Sequence, residues 1–462
     1  MEKKGKSNKR ILKLSMTMTG MLVLLVLIAI AFVSLAVTPV MAQQAKITAA
    51  TTAASEIYEP GPLDVFGNAN EDDTIDMRDT TYIKLVIFRK KPETKLADAN
   101  YDGKVSMLDV GQTKLIILGK EKKLTFIDIF GEAETVNKPI KRLANLGSAG
   151  TPVTRMLGAR DILVAIGNYR FSTMPTFYPE ICNLLVVGSG PPDCDYEMIL
   201  SLEPDAVQTN LELTNAKLEQ KRIFEEKLPG IPLICLNMRQ TEVFPENLRT
   251  YGYILDRENE AEEFIDWFEG YVDTFKTRTE GLSEHEKPRF YFEVGSYKGP
   301  YHAIGSGSSY VLPVLWAGGR NILDELVDPG DPGYTWAVEV DPEWVIERNP
   351  EFIFVRQFEP GGYESDDPSE FVATRQEILD RPELANVDAV KNKRVYVPYA
   401  RLMVDASTSI ISTAYMAKLL HPELFKDMDP EAMHQEYVDK FCYVDFDVRG
   451  HGVYFYPPPE EW

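Results

Sequence analysis

Two short stretches carry side chains in a spacing that suits a hard cation. Asn68, Asn70, Asp72, Thr74, Asp76 and Asp79 fill positions 1, 3, 5, 7, 9 and 12 of a twelve-residue loop. Asp98, Asn100, Asp102, Lys104, Ser106 and Asp109 fill the same positions 30 residues further on. Oxygen side chains at positions 1, 3, 5, 9 and 12 let such a loop wrap a Ca2+ ion, which takes about six to eight oxygens. The second loop has Gly103 where the chain must turn left-handed and the first has Asp73, so the second is the stronger site. Position 8 is apolar in both (Ile75, Val105), as a short ladder between paired loops requires.

Each loop runs into an apolar helical stretch, Tyr82, Ile83, Leu85 and Val86 in one and Leu115, Ile116 and Leu118 in the other. Over residues 61–123 this duplicated loop-helix pattern resembles the dockerin domain, a small all-α unit with EF-hand-type calcium loops. As in that family, position 12 is Asp rather than Glu. The resemblance implies Ca2+ as cofactor and a cohesin-like protein as partner.

Past Lys123 buried-strand runs alternate with amphipathic helical stretches, which predicts α/β architecture. The strand candidates are 162–166, 206–209, 232–236, 289–293, 352–355 and 394–397. Between the third and fourth, Asn259 to Gly281 carries Phe264, Trp267, Phe268, Tyr271 and Phe275 at helical spacing. This predicts one helix of about 20 residues, roughly 30 Å long. An echo flanks it. Glu197 and Glu343 each open a helical stretch seven residues ahead of a proline, Pro204 or Pro350, that precedes a strand. Two similar lobes on one helical spine account for that symmetry.

The layout resembles the substrate-binding proteins of ABC importers for iron-siderophore, haem and cobalamin, the class III periplasmic-binding-protein fold. The stretches that carry the likeness include Tyr178-Pro-Glu, Gly188-Ser-Gly, Leu200-Ser-Leu-Glu-Pro-Asp205, Gly318-Gly-Arg-Asn-Ile322, Asp388 to Tyr396 and His421-Pro-Glu-Leu-Phe425. The resemblance implies an extracytoplasmic binder that hands an iron complex or a corrinoid to a membrane permease and its ATPase. It also implies that Glu197 and Glu343 dock onto permease arginines.

A ligand between lobes is expected to meet loops at strand ends. The candidates are Arg155, Tyr169, Arg170 and Tyr178 from the first lobe, and Tyr297, Tyr301, Trp316, Trp336, Arg356 and Arg401 from the second. Guanidinium groups pair with carboxylate or catecholate oxygens while rings supply flat apolar area, so this set suits a large anionic ligand. A bare transition-metal site does not fit the dispersed histidines, although His302 lies near a cleft loop. Cys182 and Cys194 flank a Gly/Pro-rich loop and form the candidate disulfide. Gly305-Ser-Gly-Ser-Ser309 matches neither a nucleophile elbow nor a P-loop, and no His-Glu-x-x-His helix occurs, so no catalytic cofactor is expected. The rival classes are a dockerin-bearing secreted enzyme and a cell-surface assembly or adhesion protein.

The 462 residues hold 49 Lys+Arg and 71 Asp+Glu, a net charge of −22. Residues 1–42 contribute six basic groups and one acid, leaving a remainder at −27 that repels phosphate and excludes a nucleic-acid partner. The basic leader, the apolar run 20–37 and Val40-Met-Ala42 read as a signal peptide or an N-terminal membrane anchor. The expected organisation is leader 1–42, linker 43–60, calcium module 61–123, binding domain 124–445 and tail 446–462. The binding domain divides into a lobe at 124–256, the spine at 257–281 and a lobe at 282–445.

Overall fold

The computed structural model describes residues 61–462 apart from Leu213, Ser296 and residues 328–335. The leader and the linker lie outside the described residues. No described helix is long and apolar enough to cross a membrane.

The chain starts with two loop-helix units whose helices, Met77–Ile87 and Met107–Ile117, have the same length of 11 residues. The caps explain why both start where they do. Asp76 accepts from the first turn while Asp79 accepts back from the cap N–H, and Ser106 and Asp109 repeat the arrangement. Among the described residues no ladder joins Ile75 to Val105. The Ile75 N–H instead donates to the Tyr253 hydroxyl at 3.0 Å, and the Ile75 side chain joins the core of the large domain.

A hairpin of β1 (Lys123–Ile127) and β2 (Ala133–Asn137) leads into the first lobe. There β3 (Leu143–Asn145), β4 (Leu163–Ile166), β5 (Leu185–Val186), β6 (Ala206–Thr209) and β7 (Leu233–Cys235) form a parallel sheet in the order β5-β4-β3-β6-β7. The helix Phe244–Leu255 then meets the spine, Glu258–Thr279, which runs for 22 residues as its aromatic spacing predicts. Phe264 is fully buried there and its ring meets those of Phe244, Trp267, Phe268, Tyr437 and Phe441.

The second lobe has β8 (Arg289–Glu293), β9 (His302–Ile304), β10 (Arg320–Asn321), β11 (Ala337–Glu339), β12 (Phe352–Val355), β13 (Val395–Pro398) and β14 (Phe455–Tyr456). Its sheet runs β11-β9-β8-β12-β13-β14, with β10 beside β8. The segment beyond residue 445, expected to be a tail, supplies β14 and buries Phe446, Val448, Val453, Tyr454 and Phe455. Its alternation of large apolar groups closes the sheet edge rather than leaving it open.

The sequence echo is also a backbone echo. Helices Tyr196–Ser201 and Pro342–Arg348 each end in a left-handed residue just before the proline, Glu203 at φ 45° and Asn349 at φ 44°. The strand that follows is an interior one in each sheet, β6 or β12. A proline disfavours the right-handed helical conformation in the residue before it, which is why both helices stop there.

Candidate functional site

In parallel α/β sheets ligand loops gather beyond the carboxyl ends of the strands. Four arginines occupy such positions here. Arg170 lies on a short helical turn after β4, Arg239 follows β7, Arg356 comes directly after β12, and Arg401 stands in the helix Ala400–Val404 after β13.

Their surroundings differ. The Arg401 guanidinium forms a two-pronged ion pair with Glu359, one contact at 3.0 Å, and Tyr399 donates to the same carboxylate at 3.2 Å. Burial pushes the Glu359 carboxyl up, but the Arg401 guanidinium outweighs it and holds the group below its ordinary range. Arg170 is 7% exposed and donates through Nη2 to the Ser148 carbonyl at 3.0 Å and to Asp405 at 3.1 Å. Its Nε is buried without a partner.

Arg356 has different surroundings from both. It donates Nε–H to the Val294 carbonyl at 3.1 Å, and no described carboxylate pairs with it. Four rings surround it instead, Tyr310 at 4.5 Å, Trp336 at 5.1 Å, Phe358 at 5.2 Å and Tyr297 at 5.9 Å from the guanidinium carbon. Desolvation lowers its pKa, and the nearby Arg239 charge acts in the same direction. Tyr310 sits in the field of Arg356, Arg239 and Arg401 together, with Asp405 the opposing charge. Among the described residues, these four guanidinium groups outnumber the carboxylates of Glu359, Glu364 and Asp405 that lie near them.

The wall between the lobes is aromatic. Arg170, Phe171, Met174, Phe177, Tyr178, Tyr363 and Tyr399 line one cavity together with Arg401 and Asp405. Phe177 of the first lobe stacks on Tyr363 of the second at 3.6 Å. The Phe177 N–H also donates to Glu364 at 2.8 Å. Flat rings backed by arginine suit a ligand with its own flat, anionic surface.

Of the residues expected in the cleft, Arg170, Tyr178 and Arg401 line this cavity, while Tyr297 and Trp336 join the ring of contacts on Arg356. Tyr169 is 74% exposed beside Arg170. Arg155 lies behind the wall, paired with Glu180 at 2.6 Å and set over the rings of Phe177 and Tyr178. Trp316 packs edge-on against Phe268 of the spine, and the Tyr301 hydroxyl donates to Glu383 beneath Arg381, so structure occupies both. His302 Nδ1 faces the Pro300 carbonyl on the exposed side of its strand. Sequence reasoning missed Arg239, Tyr310, Phe358, Glu359, Tyr363, Tyr399 and Asp405. Position just after a strand would have found Arg239 and Tyr399; nothing local marks Tyr363.

The expected disulfide is corrected, because Cys182 and Cys194 are free thiols. Cys182 donates to the Pro179 carbonyl and Cys194 to the Gly188 carbonyl, both at 3.3 Å, so each thiol points into its own turn. Burial raises the Cys194 thiol to about 11. Glu197 and Glu343 are both exposed in the first turn of their helices, capped by Asp195 and Asp341.

Among the described residues no three carboxylate, imidazole or thiolate groups lie close enough to hold a metal ion. In the loops the carboxylates engage the backbone: Asp79 accepts from Asn70 and Asp76 N–H, and Asp109 from Asn100 and Ser106 N–H. Asp98 accepts from the N–H groups of Asp102 and Gly103. Burial pushes the Asp79 and Asp109 carboxyls up, a cost that a bound cation would offset. The donor set fits Ca2+ in kind, all hard oxygens, and Asn68 Oδ1 is buried without a partner. In the first loop Arg78 also lies on Asp72 at 3.1 Å and Asp76 at 2.8 Å.

Comparison with known proteins places this architecture. No curated protein matches the chain. Among solved structures, the TroA-like periplasmic binding protein FepB from Veillonella parvula is 23% identical with a TM-score of 0.59, covering 72% of this chain and 98% of that one. MolA of Haemophilus influenzae, bound to molybdate, is 18% identical with a TM-score of 0.54, covering 70% and 98%. CeuE of Helicobacter pylori, in a nickel–histidine complex, is 20% identical with a TM-score of 0.53, covering 71% and 98%. These likenesses show the fold. The family model described as periplasmic binding protein matches residues 143–401, over half of the chain, so the chain belongs to the periplasmic binding protein family, solute binders that work outside the cytoplasm.

Proposed function

We propose that the chain is the capture component of an ABC importer and that its ligand is an anionic, largely flat iron chelate, a ferric siderophore ahead of haem or a corrinoid. The observation that carries this reading is the excess of guanidinium over carboxylate among the described residues of an aromatic cleft, with Arg356 held by four rings and no described counter-ion. A bare cation is repelled by such a site, while an anion with ring surface meets both features. Neighbours of the same fold that hold a molybdate ion or a nickel–histidine complex support capture of a charged complex. Glu197 and Glu343 then serve as the paired contacts with the permease, one on each lobe.

The small module takes a second role in this reading. Its loops bind Ca2+, and the exposed face of the helix Met107–Ile117 receives a cohesin-like protein. Met107, Leu108 and Leu115, with Leu118 just beyond, are exposed at helical spacing on one side, and this apolar stripe supports a protein partner. Native mass spectrometry of the chain from its own cells tests both roles at once. The expected spectrum shows one bound anionic iron complex and at least one calcium ion. A cationic or peptide ligand would sink the first role, and a calcium-free folded chain the second.

A further inference from the structure

Arg170 and Asp405 come from opposite halves of the chain, with the spine helix between them in sequence. Both line the cavity and both are almost fully buried, Arg170 at 7% and Asp405 at 7% exposure. Their contact is single, Nη2 to Oδ2 at 3.1 Å, and the buried Nε of Arg170 has no partner. A guanidinium that served only to tie the lobes together would be expected to engage a carboxylate through two prongs, as Arg381 does with Glu293 at 2.8 and 2.7 Å. The lobes moreover have another tie at the same place, the Phe177–Tyr363 stack at 3.6 Å and Glu364 on the Phe177 N–H at 2.8 Å. Asp405 is therefore not needed to hold the cleft together.

We infer that the Asp405 carboxylate is a built-in surrogate for the ligand anion: it occupies one prong of Arg170 while the cleft is empty and must give way when an anion arrives. The inference rests on the reading of the cleft as an anion site. Two consequences follow from the charges. A weak or singly charged anion cannot displace Asp405, so the cleft selects multiply charged complexes. When the ligand's hold on Arg170 loosens while the lobes are still together, Asp405 takes that prong back, so the same residue that raises the threshold for entry eases release. Arg356 lacks such a competitor among the described residues and is the unconditional anchor.

Calorimetric titration with the iron(III) tris-catecholate complex and with molybdate decides the matter, using the full chain, Asp405→Asn, Arg170→Gln, the double variant and Arg356→Gln. Melting curves first establish that each variant is folded. Asp405→Asn removes the competing charge and keeps the shape, so it should bind the probe about ten-fold tighter, and this gain should vanish when Arg170 is also replaced. An Asp405→Asn variant that binds no better, or gains equally in the absence of Arg170, overturns the inference. In that event a loss of affinity in Arg356→Gln leaves the reading of the cleft standing. Failure of every folded variant to bind either probe overturns that reading, and the surrogate with it.

Discussion

Arg356 shows how a single residue can declare a site. A buried guanidinium with no carboxylate partner among the described residues is costly, and rings recover only part of its lost hydration. The remainder is available to a ligand anion. Arg356→Gln should therefore lower the affinity for iron(III) tris-catecholate by at least about ten-fold while leaving the melting temperature unchanged or raised. Calorimetry and thermal melting measure the two effects separately. A fall in melting temperature with affinity intact would make Arg356 a structural cation. Its type and place were legible from the sequence because it follows a strand of unbroken apolar residues, Phe352 to Val355. Trp316 and Tyr301 were not distinguishable from ligand contacts in the same way. Trp316 faces the spine because of its turn in a short helix and Tyr301 leans on Glu383 because of a left-handed turn before β9, and composition encodes neither.

At the scale of elements, the paired helices before β6 and β12 place Glu197 and Glu343 at equivalent outer positions. Replacing both by Lys should abolish ligand uptake by cells while affinity in solution stays within about two-fold, since neither side chain lines the cleft. A large loss of affinity would remove them from the docking role. The echo was readable because it repeats a glutamate and a proline at fixed spacing. The spine was readable because a long run of aromatic groups at helical period has few alternatives. Short strands such as β5 and β10, two residues each, carry no pattern of their own. The closing strand β14 escaped because Pro457 to Pro459 suggests an irregular end, while the residues before them pair with β13.

Across the whole molecule, acidity of the medium should matter through one buried base. His434 is fully buried, its Nε2 lies 2.8 Å from the Tyr363 hydroxyl, and burial pushes its pKa down to about 3. In the unfolded chain the same group titrates near 6.5. Above that value both states hold a neutral ring and nothing is gained or lost. As pH falls from about 6.5 towards 3 the unfolded chain takes up a proton that the folded core refuses, so stability declines by up to about 1.4 kcal/mol per pH unit. Melting temperature measured across this window should fall more steeply for the native chain than for His434→Gln. Equal slopes would show that other groups dominate.

The joint between the small module and the first lobe has a further meaning. Lys138 is buried where three elements meet, paired with Glu121 at 2.8 Å and Asp256 at 2.6 Å, and the Tyr253 hydroxyl accepts from the first loop of the module close by. Glu121 ends the module, Lys138 follows β2, and Asp256 follows the helix Phe244–Leu255. Charges locked at such a depth resist hinge motion. The module is thus not a hand on a flexible wrist. Under the proposed role of the module, a partner that gripped it would also set the compass bearing of the cleft, and a scaffold carrying several such chains would point all their mouths the same way.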